Sequence, residues 1–317
     1  MSKQNRAFRE LGPLVALIAL GVFTAILNPR FLSIYNLQTL GKQAAIFGIM
    51  AIGETFVIMS GGGSIDLSPG SMVALIGIVS TYMIVHGIPV FIAILVSLGL
   101  SILIGLWHGF FVNKLKVPAF IITLGTLTIA RGMAAVITKG WPIVGLPKNF
   151  VMIAQGDVVG FPIPVIILFT VLLITHFVLE KTVYGKHLRA TGGNEVAARF
   201  SGVKVEKVRY IAFVVSAFLS GLVGIIVAAR LSQGQPGVGG TYELYAIASA
   251  VIGGTSLSGG EGSALGAVIG AGIISLLWNA LVMLNVSTYW HNVIIGAVIV
   301  IAVTLDILRK KSLARSK

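Results

Sequence analysis

Residues 60–75 read SGGGSIDLSPGSMVAL, and residues 252–265 read IGGTSLSGGEGSAL. The two stretches share a Leu-Ser-x-Gly core, at Leu67–Gly70 and at Leu257–Gly260, with glycines upstream and a small-residue-rich run downstream. The second core, continued by Glu261, is one residue away from the LSGGQ signature of ATPases that bind a nucleotide phosphate. A phosphate-binding reading needs a G-x-x-x-x-G-K-[ST] loop whose lysine reaches the phosphates. It also needs a polar domain to carry that loop. The chain has no such motif, and its longest polar stretch is 180–208. The glycines therefore do not cradle a nucleotide. Both stretches interrupt long apolar runs, and reading them as breaks between short helices decides the fold.

Working outward from the breaks, ten apolar runs emerge: 11–27, 44–60, 70–86, 89–112, 119–137, 162–179, 209–229, 244–257, 263–284 and 291–308. A spanning helix needs roughly 20 such residues, fewer where it is broken. The third and eighth runs, short and bordered by glycine, are where crossing is least complete. Composition supports a bilayer as solvent. The 317 residues are 56% hydrophobic and only 10% charged, with a mean hydropathy of +0.98, against about 25% charged in soluble domains. The 39 glycines are scattered through apolar runs, where small residues let helices pack closely. The first run follows Lys3, Arg6 and Arg9 as a signal peptide would, but it lacks a small-x-small cleavage site and reads as a retained helix.

The absence of cysteine excludes disulfides, thiolate metal sites and a cysteine nucleophile. The net charge of +13 is a topology signal. With ten spans, seventeen of the 23 Lys and Arg fall on the side that carries both termini. The positive-inside rule makes that side cytoplasmic, and the basicity is no footprint of nucleic acid. The expected class is an all-α polytopic membrane protein, a single domain over 1–317, with about ten transmembrane helices and short or broken helices near the two Leu-Ser-x-Gly segments.

Polar residues inside spans are expensive and often functional. Glu54 lies within the second run, as a lining residue of a pathway, as half of an intramembrane ion pair, or as a helix–helix contact. Asp66 stands just before the third run, where it either caps the helix starting near Ser68–Ser71 or meets solute directly. Arg131 either snorkels to the interface or pairs with Glu54 or Asp66. Gln235, Pro236, Tyr242 and Glu243 lie just outside the membrane, suited to hydrogen-bonding a polar solute or to contact with another protein. Ser68, Gly70, Ser258 and Gly260 complete the candidate pathway at the breaks. Histidines 86, 108, 176, 187 and 291 form no i, i+4 pair and have no acidic cluster nearby, so neither metal nor histidine-based catalysis is expected. No catalytic residue, metal or cofactor is assigned.

The segment GGGSIDLSPGSMVAL resembles the G-G-x-D-L-S-x-G-S stretch of binding-protein-dependent ABC permeases for simple sugars, the ribose-type branch. VPAFIITLGTLTIARG (Val117–Gly132), YGKHLRATGGNEVAARFSGVKV (Tyr184–Val205) and ARLSQGQPGVGGTYELYAIASAVIGGTSLSGGEG (Ala229–Gly262) follow in order, so the likeness covers nearly the whole chain. Branched-chain amino-acid permeases resemble it less, because they carry Asn-Phe-Ala-His where this chain reads Asp66-Leu67-Ser68-Pro69. The resemblance implies the ABC importer permease fold in a bacterial inner membrane. It also implies two permease copies (a homodimer), a cytoplasmic ABC ATPase subunit, and a periplasmic or lipid-anchored sugar-binding protein that delivers a ribose-like monosaccharide. Other pentoses, hexoses or furanose signals share the scaffold. Within 180–208, Glu195, Ala197, Ala198 and Gly202 match the E-x-A-A-x-x-x-G spacing of ABC coupling loops, with Arg199 as a charged edge. There Asn194 caps a short helix, Ala197 and Ala198 offer it an apolar face, and Gly202 stops it. A self-contained carrier is the alternative, but it calls for several mid-membrane acids and gives such a loop no purpose.

Overall fold

Most helices begin where proline or a small hydroxyl residue ends the preceding turn. The computed structural model describes residues 3–287, 289–298, 300, 301 and 304, with side chains from Gly12 onward. Its elements are α1 (Lys3–Leu27), α2 (Ile34–Met59), α3 (Pro69–Val85), α4 (Val90–Asn113), α5 (Ala119–Thr138) and α6 (Lys148–Gln155). After a two-stranded turn, β1 (Asp157–Val158) and β2 (Phe161–Pro162), come α7 (Ile163–Lys181), α8 (Val183–Gly193), α9 (Glu195–Phe200), α10 (Val205–Leu231), α11 (Tyr242–Ile252) and α12 (Ala264–Met283). Pro89, Pro118 and Pro162 are the N-caps of α4, α5 and α7. Proline costs nothing there because its missing N–H would be unpaired anyway.

Six of these helices, α2, α4, α5, α7, α10 and α12, are long and apolar enough to cross a membrane. The chain is therefore polytopic and mainly helical. Helices α2 and α10 form the centre: 83% and 72% of their most apolar windows are buried, against 22% for α4 and α5. A helix apolar all round is buried all round, and α2 is buried without interruption from Ala45 to Met59. The outer helices instead present Phe91, Leu103 and Phe177 outward, where lipid is the natural solvent. At the core, α3 and α10 approach through Gly77 and Gly224. A Cβ on Gly77 would lie 2.9 Å from the Gly224 carbonyl oxygen, closer than packing allows.

Two opposite faces gather the connections. On one, the 60–68 segment, α8 and the 254–262 turn touch one another. On the other, Asn28 donates to Met283 O at 3.0 Å, Gln38 to Gly160 O at 3.1 Å, and Gln155 to Arg230 O at 3.1 Å.

Several boundaries differ from expectation. The eighth run, 244–257, yields only the 11-residue α11, because Gly253 and Gly254 end the helix, Gly254 with a φ of 92°. The tenth, 291–308, is helical over 289–298 and otherwise falls largely outside the described residues. The basic ends that weighed in the charge count, Lys3, Arg6 and Arg9 and the residues from Arg309 on, likewise lie outside the described side chains. The two Leu-Ser-x-Gly cores are also not alike. In the first, Ser68 is the N-cap of α3 and Gly70 lies in its first turn, whereas Gly259 and Gly260 form a left-handed turn with φ of 86° and 76°.

Candidate translocation and coupling sites

The break after α2 is built on three consecutive left-handed glycines, Gly61, Gly62 and Gly63, which turn the chain back into the bundle. Asp66 is then fully buried. Its Oδ1 accepts from Ser68 N at 2.9 Å and Ser68 Oγ at 2.7 Å, and its Oδ2 from Ser216 Oγ of α10 at 2.8 Å. Asp66 thus holds the N-cap residue of α3 rather than the first-turn N–H groups, and pins that end to α10. Glu54, also buried, accepts from Asp66 N at 3.1 Å. Sequence reasoning had no means of finding Ser216, 150 residues away.

A second short helix starts close by. A Cβ on Gly70 would land on the Gly239 carbonyl and on a carboxylate oxygen of Glu243, so the first turns of α3 and α11 touch. From that meeting point α3 runs to one face and α11 to the other. Both N-termini, the positive ends of helix dipoles, thus converge in the interior, as half-helices do at transport sites. Arg131 on α5 neither snorkels nor pairs with Glu54 or Asp66. Its Nη1 donates to Val238 O at 2.5 Å and its Nη2 to Gly239 O at 3.1 Å, which fixes the segment leading into α11. Within that segment Gly234 exchanges two backbone bonds of 2.9 Å with Ile143. Gln235 is half-buried and accepts from Gln233 Nε2 at 3.3 Å. Arg230 donates to Gln43 Oε1 at 2.8 Å, and Tyr242 and Tyr245 pack on Phe47 with ring centroids at 5.3 and 5.1 Å. Gln43, Arg230 and Phe47 escaped notice in the sequence because α2, α10 and α11 bring them together only in the fold.

Ser258 and Gly260 lie at the other end of α11, apart from Ser68 and Gly70. Gly260 N donates to Met59 O at 3.0 Å. A Cβ on Gly192, near the end of α8, would collide with Met59 O and Gly260 N, and one on Gly61 would come within 2.6 Å of Gly192 Cα. The two glycine breaks and α8 therefore meet backbone to backbone.

Asn194 caps α9 by accepting from Ala197 N at 3.0 Å. At its far end Gly202, with a φ of 80°, donates to Arg199 O while Val203 N reaches Ala198 O, the paired closing bonds of a Schellman stop. Ala198 is 4% exposed. It packs into the chain rather than forming an outward apolar face with Ala197. The large exposed apolar side chains of α9 are Val196 at 63% and Phe200 at 90%, with Ala197 exposed beside them. Glu195 Oε1 accepts from Arg199 at 2.9 Å and its Oε2 from Arg209 of α10 at 2.6 Å, while Arg199 also reaches Glu206 at 2.6 Å. These pairs stake α9 to the start of α10. Partial burial pushes the Glu195 carboxyl up, but the bonds from Arg209 and Arg199 prevail and hold it below the usual carboxylate range.

Comparison with known proteins agrees across the length of the chain. Residues 36–303 match the family described as "Branched-chain amino acid transport system / permease component". The ribose import permease protein of Haemophilus influenzae is 43% identical over 306 residues, covering 95% of this chain and 94% of that protein. That of Bacillus subtilis is 43% identical over 306 residues, 96% of this chain and 94% of its own length. A xylose transport system permease protein of Haemophilus influenzae is 34% identical over 365 residues, 94% and 97% of the two chains. No solved structure matches significantly.

Proposed function

The chain belongs to the ABC transport-system permease family, in its ribose-type branch, and on that premise we propose that it is the membrane-spanning subunit of an importer for ribose or a closely similar monosaccharide. The observation that carries this reading is the likeness to ribose import permeases along nearly the entire chain. Such permeases are transport proteins and not enzymes, so ATP hydrolysis falls to a separate ATPase subunit. A sugar-binding protein delivers the solute on the opposite side, and a second copy of the chain completes the channel. The chain acts as one membrane domain of about ten spans, with both termini in the cytoplasm.

Within that frame, the pathway passes where α3 and α11 begin. Ser68, Gly70, Arg131 and Gln235 shape the opening near the meeting point, and Ser258 and Gly260 lie at its cytoplasmic end. Glu54 and Asp66 serve the pathway by holding the break that positions Ser68 and Gly70. The coupling element is α8–α9, with Asn194, Glu195, Arg199 and Gly202 fixing its shape, Ala198 seating it, and Ala197, Val196 and Phe200 facing the ATPase. The tethers from Glu195 and Arg199 pass its motion into α10, and the contact of Gly192 with Met59 and Gly260 passes it into both breaks.

The test is genetic and chemical together. Deleting the gene should abolish uptake of labelled ribose at low external concentration, and a plasmid copy should restore it. Undiminished ribose uptake, with loss of uptake of a chemically unrelated solute, would overturn the sugar assignment.

A further inference from the structure

Glu54 and Asp66 are neighbours inside the helix bundle, both fully buried, with Asp66 N donating to Glu54 Oε1 at 3.1 Å. Among the described residues the ion pairs join Glu180 to Arg189, Glu195 to Arg199 and Arg209, and Glu206 to Arg199. None reaches Glu54 or Asp66. Arg131 gives its guanidinium to two carbonyls, and Arg209 faces Glu195. Two bare carboxylates this close, away from water, are prohibitive in a medium of low dielectric.

Counting donors tells the two apart. Asp66 accepts three hydrogen bonds, through both of its oxygens, which is how a buried carboxylate is kept charged. Glu54 accepts one, from Asp66 N, and its Oε2 is buried with no partner. A titratable neighbour is His108 of α4, within electrostatic reach of Asp66. Its Nε2 contacts Thr126 Oγ1 at 2.9 Å and its Nδ1 is buried without a partner, so neither ring nitrogen bonds Glu54 or Asp66. Other elements bring hydroxyls and one more acid. Thr123 of α5 lies 3.3 Å from Ile65 O while donating to Ala119 O at 2.9 Å, Ser216 of α10 donates to Asp66, and Thr255 meets Thr55 at 3.2 Å. Glu243 of α11 stands against Gly70 with its Oε2 buried and unpartnered.

We propose that Glu54 holds a resident proton, and that this buried proton site latches the 64–68 segment onto α2. While Glu54 is neutral, it accepts the Asp66 N–H and adds no charge beside the ionised Asp66. When the proton leaves to bulk base, two like charges confront each other across the break, and the segment that carries the start of α3 is pushed off α2. The site is independent of which solute is carried, so its fate and that of the sugar assignment are separable.

The test uses the assembled transporter in lipid nanodiscs. Infrared spectra at neutral pH, compared in light and heavy water, should show a carbonyl band of a buried protonated carboxylic acid that belongs to Glu54. Glu54→Gln should remove that band while Asp66→Asn retains it. In wild type the Tm should fall as the pH is made alkaline, and in Glu54→Gln that fall should disappear. No such band in wild type, or a band lost with Asp66→Asn and kept in Glu54→Gln, overturns the assignment. Stabilisation by added sodium in place of pH dependence would also overturn it, by showing a metal cation at Oε2. The wild-type band and its alkaline response decide the matter even if the glutamine variant folds poorly.

Discussion

Gly192 has neighbours that no local reading of its sequence shows. It is one of two glycines at the end of α8, and its Cα faces Met59 O and Gly260 N, contributed by segments far away in the chain. A side chain there must separate the α8 end from both breaks. Gly192→Leu is expected to insert normally yet cut uptake at least tenfold, while leucine at Gly99, which has open space around its Cα, leaves uptake near wild type. Transport assays on the two variants at matched membrane abundance check this. Glu195 makes a prediction about acid. Its folded value lies below the unfolded one, so the tether's contribution is present above the unfolded value and is lost as pH falls through the folded one. For a carboxylate 36% exposed the effect is small, about 0–1 kcal/mol. Hydrogen exchange over 195–209 should quicken on acidification in wild type, and Glu195→Gln should be fast already and insensitive to pH. Of this residue-level detail, the sequence shows that Glu54 and Asp66 are special by their cost in an apolar run. It does not show that they touch, because that depends on how three glycines redirect the chain.

At the scale of elements, α9 tests what periodicity reveals. Asn194, Glu195 and Gly202 announce a helix with both its ends, and the structure places those ends within a residue of the expectation. Which side faces out was not legible, because both alanines are small enough to bury. The bed under Ala198 is supplied by neighbouring elements rather than by α9 itself. Two variants separate seating from docking. Ala198→Trp should displace α9 and destabilise the 183–209 region, whereas Phe200→Asp, at a fully exposed position, should keep the fold and weaken ATPase binding or uncouple hydrolysis from uptake. Asn194→Ala should loosen α9 by about 1 kcal/mol, read as faster exchange at its first amides. Helix α11 shows the converse. Apolar composition continues to Leu257, but Gly253 and Gly254 end the helix early, so hydropathy overstated its length, while the glycines bordering both runs marked α11 and α3 alike as short.

For the whole molecule, hydropathy found the long helices because each must satisfy its own backbone in lipid, a constraint that a single sequence displays openly. The convergence of α3 and α11 on Gly70 and Gly239 rests on long-range contacts and was not legible. If the account is right, the isolated chain binds no nucleotide despite Leu257–Glu261, and a cysteine introduced at Phe200 in this cysteine-free chain is labelled by impermeant reagents only from the cytoplasmic side. The central claim is that this chain carries a ribose-like sugar through the membrane using ATP energy it cannot itself harvest. It is tested most directly in proteoliposomes holding the purified chain with its ATPase subunit, with binding protein and labelled ribose outside. The account predicts ribose accumulation that requires ATP on the ATPase side and the binding protein on the other. Accumulation by the chain alone, driven by a proton or sodium gradient and indifferent to ATP, would contradict it.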